Sequence, residues 1–128
     1  MKLLLDTHAL LWWWTDDARL SATARAAIAD EANDIWVSAA SAWEIATKHR
    51  PGKLQEAADA VGRYNELVAA DGFNHLSMNY LHALRAGGYA HVHRDPFDRM
   101  LAAQAELEGA TLVSCDPVIA QMGVRVLW

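Results

Sequence analysis

Four acidic residues, Asp6, Glu44, Asp98 and Asp116, each stand where an apolar run ends or a helix is expected to begin. A carboxylate on a solvated face is ordinary, but these four sit at the margins of segments expected in the core. Carboxylates brought together repel one another and need a counter-charge, which a divalent metal ion supplies. Acid clusters of this kind hold Mg2+ or Mn2+ and suit the cleavage of phosphodiesters. Each acid also has a plainer explanation. Ser41-x-x-Glu44 matches a capping box. Asp95-Pro96-Phe97-Asp98 reads as N-cap, proline at the first helical position and a carboxylate favoured by the helix dipole. Asp116-Pro117 repeats the capping logic. Asp6 follows three leucines, and Thr7 is available to cap the next helix, so Asp6 leads the set.

The elements that must position these residues alternate between strand and helix. Leu3-Leu4-Leu5 is a wholly apolar run, as expected for a strand buried on both faces. A helix is expected over His8 to Trp14, and Ser21 can cap another over Ala22 to Ala32. Ile35-Trp36-Val37 reads as the second strand. Ser41 to Arg50 follows as a helix stopped by Pro51-Gly52. Lys53 to Ala70 reads as one long amphipathic helix. Gly72 to Leu76 is a short strand, and Asn79 to Ala86 a helix closed by Gly87-Gly88. Asp95-Pro96 opens a helix to Glu108, Thr111 to Ser114 is a buried strand, Asp116-Pro117 starts a short helix, and Val124 to Leu127 ends the chain as a strand. The expected fold class is α/β: a three-layer α/β/α sandwich with a central, mostly parallel sheet of four or five strands, in a single domain over residues 1–128. In such sheets ligands bind at the carboxyl ends of the strands near a topological switch point, where all four acids can reach.

Composition is consistent with this. The 128 residues are 53% hydrophobic and 21% charged, which is enough apolar material for a core and excludes a disordered chain. Cys115 is the single cysteine, so no internal disulfide forms and a reducing compartment suits the protein. The apolar run after Lys2 is broken at Asp6, too short for a signal peptide or a membrane span, and a cytoplasmic location is expected. A net charge of −5 argues against a general nucleic-acid binder, although two divalent ions would offset most of it.

Four segments carry a family resemblance: Leu4-Leu5-Asp6-Thr7-His8, Ser41-Ala42-Trp43-Glu44-Ile45-Ala46-x-Lys48, Asp95-Pro96-Phe97-Asp98-Arg99 and Leu112-Val113-Ser114-Cys115-Asp116-Pro117. In order and spacing the chain resembles PIN domains, and more narrowly the VapC toxins of VapBC toxin–antitoxin systems. The resemblance implies an Mg2+- or Mn2+-dependent endoribonuclease that cuts cellular RNA and arrests growth. It also implies a VapB-type antitoxin that blocks the site, a homodimer, a larger toxin–antitoxin assembly, and operator DNA contacted only through the antitoxin. Asp6, Glu44, Asp98 and Asp116 take the family's acidic positions. Asp95 is an additional acid, expected in the outer shell or at a second metal ion, and Thr7 and Ser114 match small hydroxyl positions that steady the site.

The chemistry also follows without the family. RNA hydrolysis needs an activated water and neutralisation of charge on the phosphate, both of which a carboxylate-bound metal provides. Mg2+ prefers oxygen ligands and keeps several waters, which suits a carboxylate set without a histidine cage. Asp6 and Asp98 are the expected direct ligands, with Asp116 shared or acting through water, and Glu44 holding a water or acting as general base. Lys48, Arg50, Arg94 and Arg99, with Lys53, are candidates for RNA phosphates or for a solvated helix face. Trp12-Trp13-Trp14 cannot all face one core, because consecutive helical positions rotate by about 100°; one exposed tryptophan would be a candidate partner anchor. His91-x-His93 lacks the further ligands that zinc needs. Two other readings compete: a PIN-like nuclease acting on DNA or in RNA processing, and a non-catalytic interaction domain. The chain is short for the helical arch of flap-cutting enzymes, and a degenerate domain would be expected to have lost an acid.

Overall fold

A computed structural model describes residues 1–49, 57–90 and 95–128. The described elements run β1 (Lys2–Leu5), α1 (Thr7–Trp14), α2 (Ala22–Ala29), β2 (Asp34–Ser38), α3 (Ala39–His49), α4 (Ala57–Gly62), α5 (Tyr64–Ala70), β3 (Asn74–Leu76), α6 (Tyr80–Gly88), α7 (Pro96–Leu107), β4 (Thr111–Val113), α8 (Pro117–Ala120) and β5 (Val126–Leu127). The five strands form one sheet in the order β3-β2-β1-β4-β5, and every pairing is parallel. Parallel neighbours need crossovers, and the helices provide them on both faces.

The three leucines of β1 show why the sheet sits in the middle. Leu3 and Leu5 join Leu10, Ala24, Ile28, Val37, Val68 and Val113 in one core cluster, on the α1, α2 and α5 side. Leu4 points the other way and packs with Leu101, Ala105, Leu112 and Ile119 on the α7 and α8 side. All three are fully buried. Side chains alternate across a strand, so an unbroken apolar run requires an apolar layer on each face. Truncating one of them to alanine would cost about 2–5 kcal/mol.

Several boundaries differ from the sequence reading, each for a local reason. Helix α1 begins at Thr7, not His8, because Asp6 rather than Thr7 is its N-cap: Asp6 Oδ1 accepts from the Ala9 N–H at 2.7 Å. Helix α2 stops at Ala29, where Asp30 turns extended and its carboxylate accepts from the Ala32 N–H. Helix α3 begins at Ala39, so Ser41 lies inside it and makes no capping box with Glu44; Ser38 holds the first turn by accepting from the Ala40 N–H at 2.9 Å. The expected long helix over Lys53 to Ala70 is divided around Arg63, which leaves helical geometry (φ −125°, ψ 21°) just after Gly62. Glycine is a weak helix former, and Tyr64 is drawn inward against Trp14. The start of that helix, with Arg50, Pro51-Gly52 and Lys53, lies outside the described residues. Helix α6 runs on through Gly88, and the last strand shrinks to Val126–Leu127 after a turn at Gly123 with φ +81°.

Candidate functional site

The chain order places a switch at the centre of the sheet. The path leaves β1 toward β2 and β3, then returns to lay β4 on the other side of β1. Adjacent crossovers therefore diverge between β1 and β4 and open a crevice at their carboxyl ends. Asp6 is the first residue past β1, and its N–H bonds to Val113 O at 3.1 Å, which extends the ladder and pins Asp6 beside β4. Ser114 is the first residue past β4 and is buried. Its hydroxyl accepts from the Asp116 N–H at 3.1 Å and, from beside the Asp6 carboxylate, opposes the rise of that carboxyl. Asp116 caps α8 through Val118 N–H at 2.8 Å. One buried serine thus acts on two of the four acids.

Glu44 lies in the second turn of α3 and is only 2% exposed. Its Oε2 pairs with the Lys48 ammonium one turn on, while Oε1 is buried without a hydrogen-bond partner. Asp95 caps α7 by accepting from the N–H groups of Phe97 (2.9 Å) and Asp98 (3.3 Å), so Asp98 stands in the first turn of that helix. Lys48 connects the two helices electrically. Its partial burial works against its charge, but the hydrogen bond to Glu44 and the charges of Glu44, Asp95 and Asp98 outweigh this and push it up. Asp6 is shifted most by burial, which raises its carboxyl above the usual aspartate value. The Ala9 and Ser114 hydrogen bonds and nearby His8 oppose the rise, and Glu44 adds to it. Cys115, between Ser114 and Asp116, is raised by burial and then by the charges of Asp6 and Asp116. Glu44 thus acts on Asp6, and Glu44, Asp95 and Asp98 act on Lys48.

Among the described residues no three Asp, Glu, His or Cys side chains stand together as a finished ion cage. Three of the four acids are turned toward protein partners: Asp6 and Asp116 toward backbone N–H groups, Glu44 toward Lys48. The donor chemistry nevertheless fits a hard divalent cation, since the donors are carboxylate and hydroxyl oxygens and one buried carboxylate oxygen of Glu44 has no partner.

The PIN domain family profile matches residues 3–124. The chain belongs to the PIN domain family. No curated protein sequence matches it significantly. Solved structures of similar shape include VapC20 of Mycobacterium tuberculosis, a sarcin–ricin loop cleaving toxin, at 16% identity and TM-score 0.68, covering 95% of each chain. VapBC-1 from nontypeable Haemophilus influenzae matches at 17% identity and TM-score 0.66, over 99% of this chain and 97% of that one. VapBC2 from Rickettsia felis, bound to a DNA fragment from its promoter, matches at 13% identity and TM-score 0.61, over 99% of this chain and 98% of that one.

The remaining candidates of this PIN domain fall elsewhere. Lys48 is the counter-charge of Glu44, and its own side chain is about one-third exposed. Arg99 is committed to backbone: its guanidinium donates to the carbonyls of Ala86 (2.9 Å), Gly87 (3.3 Å) and Tyr89 (2.9 Å), closing the end of α6. Arg50, Arg94, His91 and His93 lie outside the described residues. Trp12, Trp13 and Trp14 are all half-buried against the core, so none is the exposed anchor expected. Trp12 meets Trp128 edge-on, and the indole N–H groups of Trp13 and Trp14 share the Asp71 carboxylate at 3.2 and 2.9 Å. The exposed tryptophan is Trp43, at 58%, edge-on to Phe97 at 4.9 Å between centroids. It lines an apolar groove with Met78, Pro96, Phe97 and Met100 that contains none of the four acids. Sequence reading also missed Ser38 and Gln104. Their one available signal is a glutamine on the core stripe of α7, between Leu101 and Ala105. No described helix is long and apolar enough to cross a membrane.

Proposed function

We propose that this PIN domain is a VapC-type toxin, a divalent-metal-dependent endoribonuclease that hydrolyses phosphodiester bonds of cellular RNA and is neutralised by a VapB-type antitoxin. The observation that carries the reading is the placement of Asp6 and Asp116 on either side of the β1/β4 switch, with Ser114 bonded to Asp116 and both Ser114 and Glu44 acting electrically on Asp6. Similarity in fold to the VapC20 toxin and to two VapBC complexes supports it.

Asp6, Asp98 and Asp116 would hold Mg2+, or Mn2+ in its place, with Glu44 close by and Asp95 as outer support. When bound, such an ion acidifies a water and neutralises charge developing on the phosphate. The chain's own part is positional. Ser114 favours the ionised form of Asp6, whose Oδ1 is engaged by the Ala9 N–H, and takes the Asp116 N–H at its own hydroxyl. Asp95 and Asp116 are aimed by the helix starts that they cap. Glu44 is held by Lys48 through one oxygen, which leaves the other to take a proton or orient the attacking water. The Lys48 charge limits the repulsion among Glu44, Asp95 and Asp98 before any ion arrives. A homodimer and a toxin–antitoxin assembly are the proposed quaternary states. Operator DNA would be reached through the antitoxin, in keeping with the net charge of −5.

The purified chain is expected to cut single-stranded RNA with Mg2+ or Mn2+ and not in excess EDTA, and Asp6→Asn is expected to abolish both cleavage and growth arrest. Equal cleavage in EDTA, or full toxicity of Asp6→Asn, would remove the reading.

A further inference from the structure

The elements that carry the acids are joined to one another by buried hydrogen bonds that the proposed chemistry does not itself use. Thr7, the residue after Asp6, donates its hydroxyl to Ser41 Oγ at 3.0 Å, and both side chains are buried. Ser41 lies one helical turn before Glu44 on the same helix. Ser38 accepts from the Ala40 N–H at the start of that helix and donates to Gln104 Oε1 at 2.5 Å. Gln104 is on α7, less than two turns beyond Asp98. Its amide nitrogen contacts Ser77 O and His82 Nδ1, each at 3.4 Å, so both ends of the amide are engaged.

Gln104 is fully buried amid Leu101, Ala102, Ala103 and Ala105, where an apolar side chain would be the ordinary occupant. Burying an amide is costly unless it is hydrogen-bonded, and a satisfied pair returns little net stability over an apolar pair of the same shape. What a directional bond supplies that apolar packing does not is a fixed distance and angle between two elements. The two joints lie where such control matters: α1 to α3 between Asp6 and Glu44, and α3 to α7 between Glu44 and Asp98.

We propose that Thr7–Ser41 and Ser38–Gln104 form a buried polar brace that sets the mutual placement of Asp6, Glu44 and Asp98, making Ser38, Ser41 and Gln104 positioning residues of the acid site. This rests on the metal-dependent nuclease reading and adds residues that do not touch substrate or ion.

The test uses the full chain and Mn2+ alone, with affinity read by electron paramagnetic resonance and folding by thermal unfolding of the same samples. Thr7→Val and Gln104→Met keep shape and remove the hydrogen bonds. Each is expected to weaken Mn2+ binding about 10- to 100-fold while unfolding cooperatively, as for other residues that orient metal ligands. Thr7→Ser, which restores the hydroxyl, is expected to bind within about threefold of wild type on the same scale. Wild-type Mn2+ affinity in both folded variants would overturn the brace. So would failure of both to fold, since the contacts would then serve stability alone. If one variant fails to fold, the other decides. Mn2+ binding that depends on the brace in a chain that cuts no RNA would support the brace and overturn the nuclease reading. A wild type that binds no Mn2+ would overturn both.

Discussion

At the scale of single residues, the site is built against stability. Asp6 is 6% exposed, and burial raises its carboxyl above 3.8, so the fold favours the protonated form. A group raised in this way contributes most to stability below its unfolded value, and the contribution is lost as pH rises through the folded value. At neutral pH the ionised Asp6 is therefore a net cost, held in place by the Ala9 N–H and Ser114. Asp6→Asn removes the charge and keeps the cap, because Asn and Asp cap comparably. In chelator at pH 7 this variant is expected to melt about 3–6 °C higher than wild type, corresponding to roughly 1 kcal/mol in a chain of this size. The gap should narrow as pH falls through the raised folded value and be gone once pH reaches 3.8. A lower melting temperature at pH 7 would show that burial is not what dominates Asp6. Lys48 makes the complementary case. Its partner Glu44 is almost wholly buried, whereas Lys48 is about one-third exposed. Lys48→Met strands a buried carboxylate and is expected to destabilise the chain by about 1–3 kcal/mol, a range discounted for solvent around the lysine. Urea titrations in chelator measure this, and an unchanged midpoint would mean that Glu44 is compensated elsewhere.

At the scale of elements, capping and chemistry share residues. Asp6, Asp95 and Asp116 are each an N-cap, and the caps set α1, α7 and α8 with their starts near the carboxyl edge of the sheet. Asp95 allows the two roles to be separated. Asp95→Ala is expected to cost about 1 kcal/mol through the lost cap, whereas Asp95→Asn should hold stability within about 0.5 kcal/mol. Cleavage by Asp95→Asn is nevertheless expected to fall roughly tenfold, because its charge belongs to the field around Lys48 and Asp98. Wild-type cleavage by that variant would make Asp95 a cap and nothing more. The same elements show what the sequence makes legible. Leu3-Leu4-Leu5 announces a strand buried on both faces, Asp95-Pro96 and Asp116-Pro117 announce helix starts, and acids beside such signals can be placed at one edge of the sheet. These are local patterns, read within a few residues. The break at Arg63 was not legible, because Tyr64 turns toward Trp14, far away in sequence. Neither was the start of α3, where Ser38 rather than Ser41 caps, since Ser41 is committed to Thr7 34 positions away and Ser38 to Gln104 66 positions away. A hydroxyl in sequence is equally a cap, a surface group or a brace, and only tertiary pairing decides. The half-burial of the tryptophan triplet was illegible for the same reason: Asp71 and Trp128, both remote, pack against it.

At the scale of the molecule, acids held apart by protein partners and a net charge of −5 make a fold that should respond to divalent ions more than to salt. An ion that binds the native state and not the unfolded chain stabilises by RT ln(1 + [L]/Kd), about 2.7 kcal/mol at a hundredfold excess over Kd. That is larger than the gain expected from neutralising Asp6 alone. Two thermal curves should therefore cross. In chelator, Asp6→Asn is the more stable form, because it lacks the buried charge. In saturating Mg2+ or Mn2+, wild type is expected to overtake it, because the ion uses the charge that the variant has lost. Screening cannot produce this result: sodium chloride at matched ionic strength weakens exposed charge interactions in both proteins alike and acts little on a buried carboxylate. Differential scanning calorimetry of both proteins in chelator, in divalent salt and in matched monovalent salt measures the crossing without reference to RNA. Parallel shifts of the two proteins in divalent salt would mean that the ions act on surface charge and that Asp6 is not a ligand. A crossing reproduced by sodium chloride would lead to the same conclusion. A crossing confined to the divalent ions would tie the instability of the empty site to the ion it is proposed to hold.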